Sequence, residues 1–383
     1  MKAGGHHTGT GTHTRAEAYG PGTAGRAPGH PTGDTAAAAP RRKRLPLLLG
    51  CALLILSVAG YAAVHRYAGG DMADTLVYRA EGMAVLHGQD LYGLRVTQWQ
   101  LPATYPPFAA ILFTPMAFLP VPLLKAAVTA GNVALLAAAV QLSLRLARGC
   151  PPTVSRPVAV LFATAAGIWL EPVFQTLYFG QINLFILALV LWDLSRPDRS
   201  RTKGLAIGIA AGIKLTPGIF AVYLLLTGRI RAALAAASAF AGTVALGWGL
   251  LPDISREFWT RRLFETGRVG EAWIVDNQSL QGLVARLLHT EHPGAPWIIL
   301  AAVTAVAGLA VSVRVARAGE EAWGIVCCAV TALLISPISW SHHWVWCVPV
   351  LALLAADASP AGRGAAQAGG DISRAGRAEE SGG

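Results

Sequence analysis

Charged residues are scarce in this sequence, where Asp, Glu, Lys and Arg make up 14% of 383 residues. Soluble domains usually carry about 25%, and 54% of this chain is hydrophobic. The composition excludes an ordinary soluble domain and predicts a polytopic membrane protein. The net charge of +10 is spread over short basic groups between apolar runs, without the aromatic-interleaved basic patch typical of nucleic-acid binding. We therefore expect the membrane bilayer as a partner and no nucleic acid.

Cysteine is also scarce, with five in the whole chain. Four of the five lie inside apolar runs, and Cys150 follows the basic residue Arg148. This arrangement shows neither a disulfide framework nor the ligand spacing of a zinc site. No triad of metal-binding residues is visible, although Asp71 and Asp74 together would hold a divalent ion weakly. We therefore expect no metal and no cofactor.

The first 44 residues lack any apolar period and are rich in Gly, Thr, Ala, Pro and His. Such a segment cannot bury enough surface to offset its chain entropy, so residues 1–44 are predicted to be a disordered, basic leader. Its histidines, among them His6 and His7, are interpreted as incidental, with metal binding as the alternative. The leader ends in four basic residues, 41–44, which place the N-terminus in the cytoplasm by the positive-inside rule.

The first long apolar run covers residues 45–64. A helix needs about 20 apolar residues to cross the hydrocarbon core, so this run predicts a membrane span rather than the alternative, a cleaved signal peptide. Asp71 and Asp74 follow the span closely and are therefore expected at the external membrane surface. Residues 73–86 have apolar positions at helical spacing, which predicts an amphipathic helix lying on that surface.

The later apolar runs predict further membrane segments, joined by loops whose basic residues mark the cytoplasmic side. These predicted segments are residues 123–146, 157–172, 181–194, 204–226, 232–250, 296–315, 323–335 and 344–356. Residues 108–119 are too few to span and are predicted to be re-entrant or interfacial. Residues 175–183 are predicted to form an external turn. Two large external loops result, 65–105 and 251–296, and residues 357–383 form a polar cytoplasmic tail.

The run 204–226 cannot be one span, because Arg229 would then lie outside and every later loop would change sides. Two half-helices broken at Pro217 resolve this difficulty, since broken helices are tolerated where they line a cavity. Lys214 would then point into such a cavity from below. A charge within the membrane usually marks function, and snorkelling of Lys214 to the surface is the alternative.

Six short motifs follow one another along the chain, each of them weak alone. They are Asp74-x-x-x-Tyr78, Gly88-x-x-Leu91-Tyr92, Tyr105-Pro106-Pro107, Gly180-Gln181-x-Asn183, Gly212-Ile213-Lys214-Leu215-x-Pro217 and Ser336-Pro337-Ile338-Ser339-Trp340-x-His342-His343. In this order they resemble glycosyltransferase family 87, the actinobacterial polyprenyl-phosphate-mannose-dependent α-mannosyltransferases with the GT-C membrane fold. The resemblance covers about residues 46–356 and leaves both tails outside it.

The resemblance implies an all-α, polytopic transmembrane bundle of GT-C type, with short or broken helices and two large extracytoplasmic loops. The transferase domain would occupy residues 45–356. It also implies a multi-pass plasma-membrane enzyme that moves mannose, or a similar sugar, from a polyprenyl-phosphate donor to a cell-envelope glycolipid or glycan. The transfer would be inverting and extracytoplasmic, with an aspartate as base. Arabinose and glucose donors remain open.

An inverting transfer needs a base on the acceptor hydroxyl and a way to stabilise the departing phosphate. Asp74 is the first candidate base because it matches the family position, and Asp71 is the second, with Glu171 or another acid also open. The alternative role for either aspartate is to cap the surface helix. The candidates for binding the donor phosphate are Lys214, His342 and His343. Because tryptophans flank them, the two histidines alternatively belong to an interfacial anchor.

Hydrogen-bonding side chains in the external loops suit sugar hydroxyls, or alternatively satisfy only the loop backbone. The candidate sugar- and acceptor-binding residues are Tyr78, Tyr105, Glu171, Gln181, Asn183, Asn277 and Gln278. A transporter or flippase of lipid-linked sugars is the alternative function from a different class. A transporter is expected to concentrate polar residues near mid-membrane and to show related halves. We favour the enzyme, because most polar motifs here lie in external loops and no internal repeat is visible.

Overall fold

The computed structural model describes residues 39–147 and 155–358, with side chains from Arg44 onward. The predicted leader up to residue 38, the predicted tail from residue 359 and Cys150 lie outside these ranges. The chain divides into a first unit, Met1–Lys43, and a second unit, Arg44–Gly383. Every side-chain contact described below lies within the second unit.

Over the described ranges the chain folds into fifteen α-helices without a β-sheet. They are α1 Ala39–Tyr67, α2 Ala73–His87, α3 Pro107–Ala117, α4 Val121–Leu146, α5 Arg156–Gly167, α6 Glu171–Phe179, α7 Asn183–Leu194, α8 Leu205–Ile213, α9 Ile219–Leu226, α10 Ile230–Leu250, α11 Pro252–Glu257, α12 Leu280–Leu287, α13 Gly294–Arg317, α14 Glu321–Ile335 and α15 Cys347–Asp357. The predicted all-α class is confirmed.

Within the described part of the chain, four helices are long and apolar enough to cross a membrane. They are α1 from Arg44, α4, α10 and α13. A fifth crossing results if α5 and α6 are counted as one bent span. At about 1.5 Å per residue, helices of this length reach across roughly 30 Å of hydrocarbon. The predicted multi-pass architecture is confirmed, and α3, with 11 residues, is as short as expected.

The bend between α5 and α6, which is 74°, corrects two expectations. The sequence predicts one segment over residues 157–172 and a turn over residues 175–183, and both are wrong. Helix α6 occupies most of the predicted turn and leaves only residues 180–182 between α6 and α7. Pro172 lies in the first turn of α6, where proline is favoured. The buried side chain of Leu177 then stabilises a helix in preference to a turn.

Helices α8 and α9 form the predicted broken pair. Lys214 follows α8 in an extended conformation, with φ −147° and ψ 127°, and a 3-10 turn over Thr216–Gly218 leads into α9. The break therefore begins at Lys214. The expectation of a break at Pro217 is wrong, because the helix ends slightly earlier in the chain. The start of α8 and the end of α9 lie close together, because Arg229 after α9 donates to the carboxylate of Asp198 before α8 at 3.0 Å.

Helix α8 packs closely on α10 because it presents small residues to it. An added Cβ at Gly208 would meet the carbonyl oxygen of Ala236, and one at Gly212 would meet Thr243 Oγ1. Small residues at this spacing allow helix backbones to approach within a membrane. The start of α8 is capped by Asp193 of α7, whose carboxylate oxygens accept from the backbone N–H groups of residues 204 and 207 at 2.8 and 3.0 Å. Together these contacts fix the position of the break after α8.

Helix α2 has the predicted extent, and much of it is covered by protein. It packs against α3, and Val77, Tyr78 and Ala84 are buried. The residue before the helix is Met72, which has a left-handed φ of 53°, and no side chain caps the first turn by a hydrogen bond. The capping alternative for Asp71 and Asp74 is therefore not supported by the structure.

Candidate active site

A cavity of about 850 Å³ opens between segments that are far apart in sequence. Its walls come from the start of α2, the loop before α3, the end of α6, the break after α8, residues 258–269 and residues 336–343. This volume lies within the range of ligand-binding pockets. The broken helix and the short helices thus converge on one space, which we call the central cavity.

Eight of the twelve predicted site residues line the central cavity. They are Asp71, Asp74, Tyr78, Tyr105, Gln181, Lys214, His342 and His343. The other four do not line it: Glu171, Asn183, Asn277 and Gln278. Five of the six motifs that carry the family resemblance therefore contribute residues to this cavity, although they are far apart along the chain, and the motif Gly88-x-x-Leu91-Tyr92 does not.

Gln181 joins the two predicted tyrosines. Its Oε1 accepts from the hydroxyls of Tyr78 and Tyr105 at 3.0 and 3.2 Å, and the two hydroxyls lie 3.0 Å apart. Gly180, with a φ of 69°, turns the chain out of α6 and brings Gln181 to this position. Thr75 of α2 fixes the turn by donating to the Gly180 carbonyl oxygen at 3.1 Å. The amide nitrogen of Gln181 is thereby left to face the carboxylate on α2.

That carboxylate belongs to Asp74, one helical turn before Tyr78. Burial raises the pKa of Asp74 to about 6, although a hydrogen bond with Gln181 and the positive charge of Lys214 lower it. The negative charge of Asp71 raises it further. A carboxylate with a pKa near the working pH is suited to general-base catalysis, since it is largely ionised yet still able to accept a proton.

Lys214 occupies the break after α8 and has two side-chain partners. Its ammonium donates to Asn183 Oδ1 at 3.2 Å and lies 2.9 Å from Nε2 of His343. It also lies 5.7 Å from the centre of the Tyr105 ring, which is a favourable cation–π distance. These contacts hold the cation at the cavity wall rather than at a membrane surface, so the structure does not support the snorkelling alternative.

Asn183 positions the histidine segment. Its Nδ2 donates to the carbonyl oxygen of His342 at 3.0 Å, and Thr176 donates to the same oxygen at 3.1 Å. The ring of His342 packs edge to face on Phe179, and its Nε2 has no hydrogen-bond partner among the described residues. The two histidines are therefore held by α6 and α7, with one buried ring nitrogen left for a ligand.

Asn277 and Gln278 have contacts that differ from those expected. Asn277 is fully buried, and its amide bridges two segments: Nδ2 donates to the carbonyl oxygens of Ala272 and Pro337, and Oδ1 accepts from the N–H groups of Ser279 and Ser339. Gln278 is exposed and donates to a neighbouring carbonyl oxygen. The geometry does not support a sugar contact for either residue, because the hydrogen-bonding capacity of Asn277 is already used.

Residues that the sequence did not single out also line the cavity. Arg268 donates to the carbonyl oxygens of Ala103 and Thr104 and so ties residues 258–269 to the loop before α3. Arg262 forms ion pairs with Glu257 and Glu265. No sequence pattern distinguishes Arg262 and Arg268, because residues 251–296 contain several other arginines. Across residues 44–147 and 155–358, no group of three or more His, Cys, Asp or Glu side chains is placed to hold a metal ion.

Comparison with known proteins identifies the family. The profile of Glycosyltransferase family 87 matches residues 103–337. A polyprenol-phosphate-mannose-dependent α-(1-2)-phosphatidylinositol mannoside mannosyltransferase of Mycobacterium tuberculosis is 35% identical over 325 residues, which is 80% of this chain and 76% of the relative. The chain belongs to glycosyltransferase family 87. It is thus a multi-pass membrane glycosyltransferase, and the family favours the enzyme over the alternative of a transporter or flippase.

Two further relatives have similar coverage. A polyprenol-phosphate-mannose-dependent α-(1-2)-phosphatidylinositol pentamannoside mannosyltransferase of Mycobacterium tuberculosis is 36% identical over 306 residues, covering 78% of this chain and 70% of the relative. A phosphatidylinositol mannoside mannosyltransferase of Mycolicibacterium smegmatis is 36% identical over 304 residues, covering 74% and 69%. No solved structure shows a significant match to the chain.

Proposed function

We propose that the protein transfers mannose from a polyprenyl-phosphate donor to a mannosylated glycolipid acceptor, with inversion and with Asp74 as general base. The observation that carries this proposal is the shared cavity, which has the Asp74 carboxylate on one wall and the Lys214 ammonium on another. A base for the acceptor hydroxyl and a cation for the departing phosphate in one cavity are what such a transfer requires. The names of the relatives supply the donor and the class of acceptor.

In the proposed step, an acceptor hydroxyl attacks the anomeric carbon of the donor mannose from the face opposite the phosphate. Asp74 takes the hydroxyl proton as the new glycosidic bond forms. The bond between the anomeric carbon and the phosphate oxygen breaks, and its electron pair leaves with polyprenyl phosphate. Because negative charge grows on the phosphate during this step, Lys214 stabilises the transition state more than the bound donor.

The proposed orientation places the central cavity on the extracytoplasmic side. Its support is the basic cluster at the opposite ends of α8 and α9, where Lys203 and Arg229 pair with Asp198, and Arg229 also pairs with Glu321. Arg317 at the end of α13 joins them by donating to the carbonyl oxygen of Leu226 at 2.9 Å. Basic residues concentrate on the cytoplasmic side of membrane proteins, so the cluster favours a cytoplasmic position for these loops.

The proposed reaction uses no metal or other cofactor, because Lys214 at the cavity wall would itself supply the positive charge that the departing phosphate needs. Chelation of divalent ions is therefore expected to leave the rate unchanged, and loss of activity with a chelator would contradict this part of the proposal. The outcome of this test is independent of the transfer assay, since the identity of the substrates does not depend on a metal.

The decisive experiment incubates the purified protein with radiolabelled, β-linked polyprenyl-phosphate mannose and a series of phosphatidylinositol mannosides. We expect label in a glycolipid that carries one additional α-linked mannose. A β-linked product would contradict inversion, and label released only as free mannose would contradict acceptor transfer. A matched sample of the Asp74→Asn variant at equal abundance shows whether the observed transfer depends on the proposed base.

A further inference from the structure

Trp99 lies on a tight, internally bonded loop at the wall of the central cavity. Val96 and Leu101 exchange two backbone hydrogen bonds, at 2.9 and 2.8 Å, and so close the loop. Inside it, Thr97 and Gln100 have left-handed φ values of 65° and 52°. Such values are unusual for residues other than glycine, and for a β-branched residue they mark a genuine outlier. The loop is thus a built feature that presents Trp99, because it holds an otherwise unfavourable conformation.

The indole of Trp99 is 68% exposed, more than that of any other tryptophan, all of which fall in the described ranges. Among the described residues its side chain has no ring contact or hydrogen bond of the kind that other tryptophans show: Trp169 stacks on Phe174, and Trp192 lies under Arg196. Trp99 nevertheless lines the central cavity. A large aromatic face is therefore open to whatever occupies this end of the cavity.

The surroundings of Trp99 indicate which kind of ligand fits. Gln98, Thr104 and Asp276 line the same cavity and offer both hydrogen-bond donors and acceptors. An aromatic face in a cavity that also carries polar side chains matches a sugar ring, whose C–H groups pack on the aromatic face while its hydroxyls form hydrogen bonds with the polar groups. An acyl chain would leave these polar groups without partners, which is costly. The local chemistry therefore favours a carbohydrate over a lipid tail.

The position of Trp99 relative to the reaction centre limits which sugar it can contact. Tyr105 follows Trp99 by six positions, so at most about 20 Å of extended chain lies between them. Tyr105 is hydrogen-bonded to Gln181 beside Asp74. The cavity thus connects the proposed base to Trp99 over a distance that a few linked sugar rings bridge.

We propose that Trp99 forms an acceptor subsite, in which its indole face stacks on a sugar ring that precedes the ring receiving the transferred mannose. This inference rests on the proposed function. It makes Trp99 a specificity-determining residue for acceptors that already carry more than one sugar. One of the relatives is named for a pentamannoside acceptor, and an acceptor of that kind would extend from the base along the cavity to this subsite.

The test compares acceptor kinetics of the full-length wild-type protein with those of Trp99→Ala, Trp99→Leu and Trp99→Phe, at saturating polyprenyl-phosphate mannose. The acceptors are phosphatidylinositol mannosides with one mannose and with several. Trp273→Ala is the matched control, because Trp273 is also exposed but does not line the cavity. Membrane abundance and thermal stability are measured for each variant, and Trp99 variants are expected to match the wild type since the indole is exposed.

For acceptors with several mannoses, we expect Trp99→Ala and Trp99→Leu to raise KM about 3- to 10-fold, the range that an aromatic contact contributes. The kcat value and the KM for the donor should change by less than about twofold. Trp99→Phe should retain most of the affinity because it retains a ring. The single-mannose acceptor should be unaffected, because it does not reach the subsite.

The subsite would be overturned if Trp99→Ala left the KM for acceptors with several mannoses unchanged. It would also be overturned if Trp99→Phe raised this KM as much as Trp99→Ala does, or if Trp99→Ala raised the KM for the single-mannose acceptor by the same factor. A similar loss in Trp273→Ala would also overturn it and would indicate that both tryptophans anchor the protein in the membrane interface. Absence of transfer by the wild type to any acceptor would instead contradict the proposed function. Failure of the inference and failure of the proposed function are therefore distinguishable.

Discussion

The ammonium of Lys214 lies 2.9 Å from Nε2 of His343. An ammonium only donates hydrogen bonds, so Nε2 of His343 must be the acceptor. The ring proton of His343 is then on Nδ1, and the ring is neutral. The pair therefore carries one positive charge, placed on Lys214, rather than two charges that would repel each other. A neutral His343 orients the lysine without competing with it for a phosphate.

We predict that Lys214→Ala lowers kcat/KM for the donor by about 100-fold, since a hydrogen bond to a charged group contributes roughly 1.5–3 kcal/mol. Thermal stability should change little, because Lys214 is expected to contribute to phosphate binding rather than to packing. Lys125→Ala is the control, since Lys125 does not line the cavity. Steady-state kinetics at limiting donor measure the effect. Normal donor use in Lys214→Ala would remove this lysine from the mechanism.

The contact between Lys214 and His343 predicts strong coupling between their substitutions. His343→Ala should be milder than Lys214→Ala, because the charge remains when only its orienting partner is lost. The double variant should resemble Lys214→Ala alone, whereas independent residues would give additive losses in free energy. A double-mutant cycle on kcat/KM measures this coupling. Additive losses would show that His343 acts on the substrate independently of the lysine.

Much of the fold follows from hydrophobic run length and basic loops. The long spans, the short α3 and the existence of a broken pair over residues 204–226 were predictable, although the exact position of the break was not, because run length and loop charge are local properties of a membrane sequence. The bend between α5 and α6 was not predictable. Polar residues such as Gln175 and Thr176 suggested a turn, but the contacts of α6 with other segments stabilise a helix there.

The site was predictable where a motif carries an unusual residue for its place, as with Asp74 after a span or Lys214 inside an apolar run. It was not predictable where a side chain forms hydrogen bonds with backbone groups that are distant in sequence. Asn277 bridges residues 272, 279, 337 and 339, and none of these pairings has a sequence signal. Trp99 was missed for a related reason, since its exposure depends on how the loop closes.

Because the amide of Asn277 bonds four backbone groups within the fold, we predict that Asn277→Ala destabilises the protein by about 2–4 kcal/mol. The loss should appear as a lower Tm and lower membrane abundance. The folded fraction should keep the wild-type KM for both substrates. Gln278→Ala is the control, since this exposed neighbour should be close to neutral. A raised acceptor KM without loss of stability in Asn277→Ala would return this residue to the sugar-binding candidates.

The proposed orientation predicts which positions are accessible from outside intact cells. In a variant whose five cysteines are replaced by serine, single cysteines at positions 99 and 278 should react with an impermeant thiol reagent. A cysteine at position 199 or 231 should react only after the membrane is opened, because Arg199 lies in the basic loop before α8 and Arg231, in the first turn of α10, contacts that loop at Asp198. All four residues are exposed, so lack of reaction cannot arise from burial in the protein. Labelling at position 231 in intact cells would contradict the orientation.

The last prediction concerns the raised pKa of Asp74. If Asp74 is the base, kcat/KM should rise with pH, by up to about tenfold per unit, and level off above about pH 6, where the carboxylate is ionised. Asp71→Asn should move the rising part of this pH profile (the acidic limb) to lower pH, because the negative charge of Asp71 raises the pKa of Asp74. A pH profile of the wild type and Asp71→Asn over this range measures both effects.

Asp74→Asn should lower kcat by about 10²–10⁴-fold and abolish the acidic limb of the pH profile, since the amide keeps the shape of the side chain but cannot accept the proton. Its thermal stability should be equal to or higher than that of the wild type. The sign follows from linkage: a pKa that is raised on folding means that the ionised carboxylate destabilises the native state at neutral pH, and the amide removes that charge. A loss of activity accompanied by a lower Tm would indicate a structural defect instead. Full activity in Asp74→Asn together with inactivity in Asp71→Asn would transfer the role of base to Asp71, because both carboxylates line the same cavity.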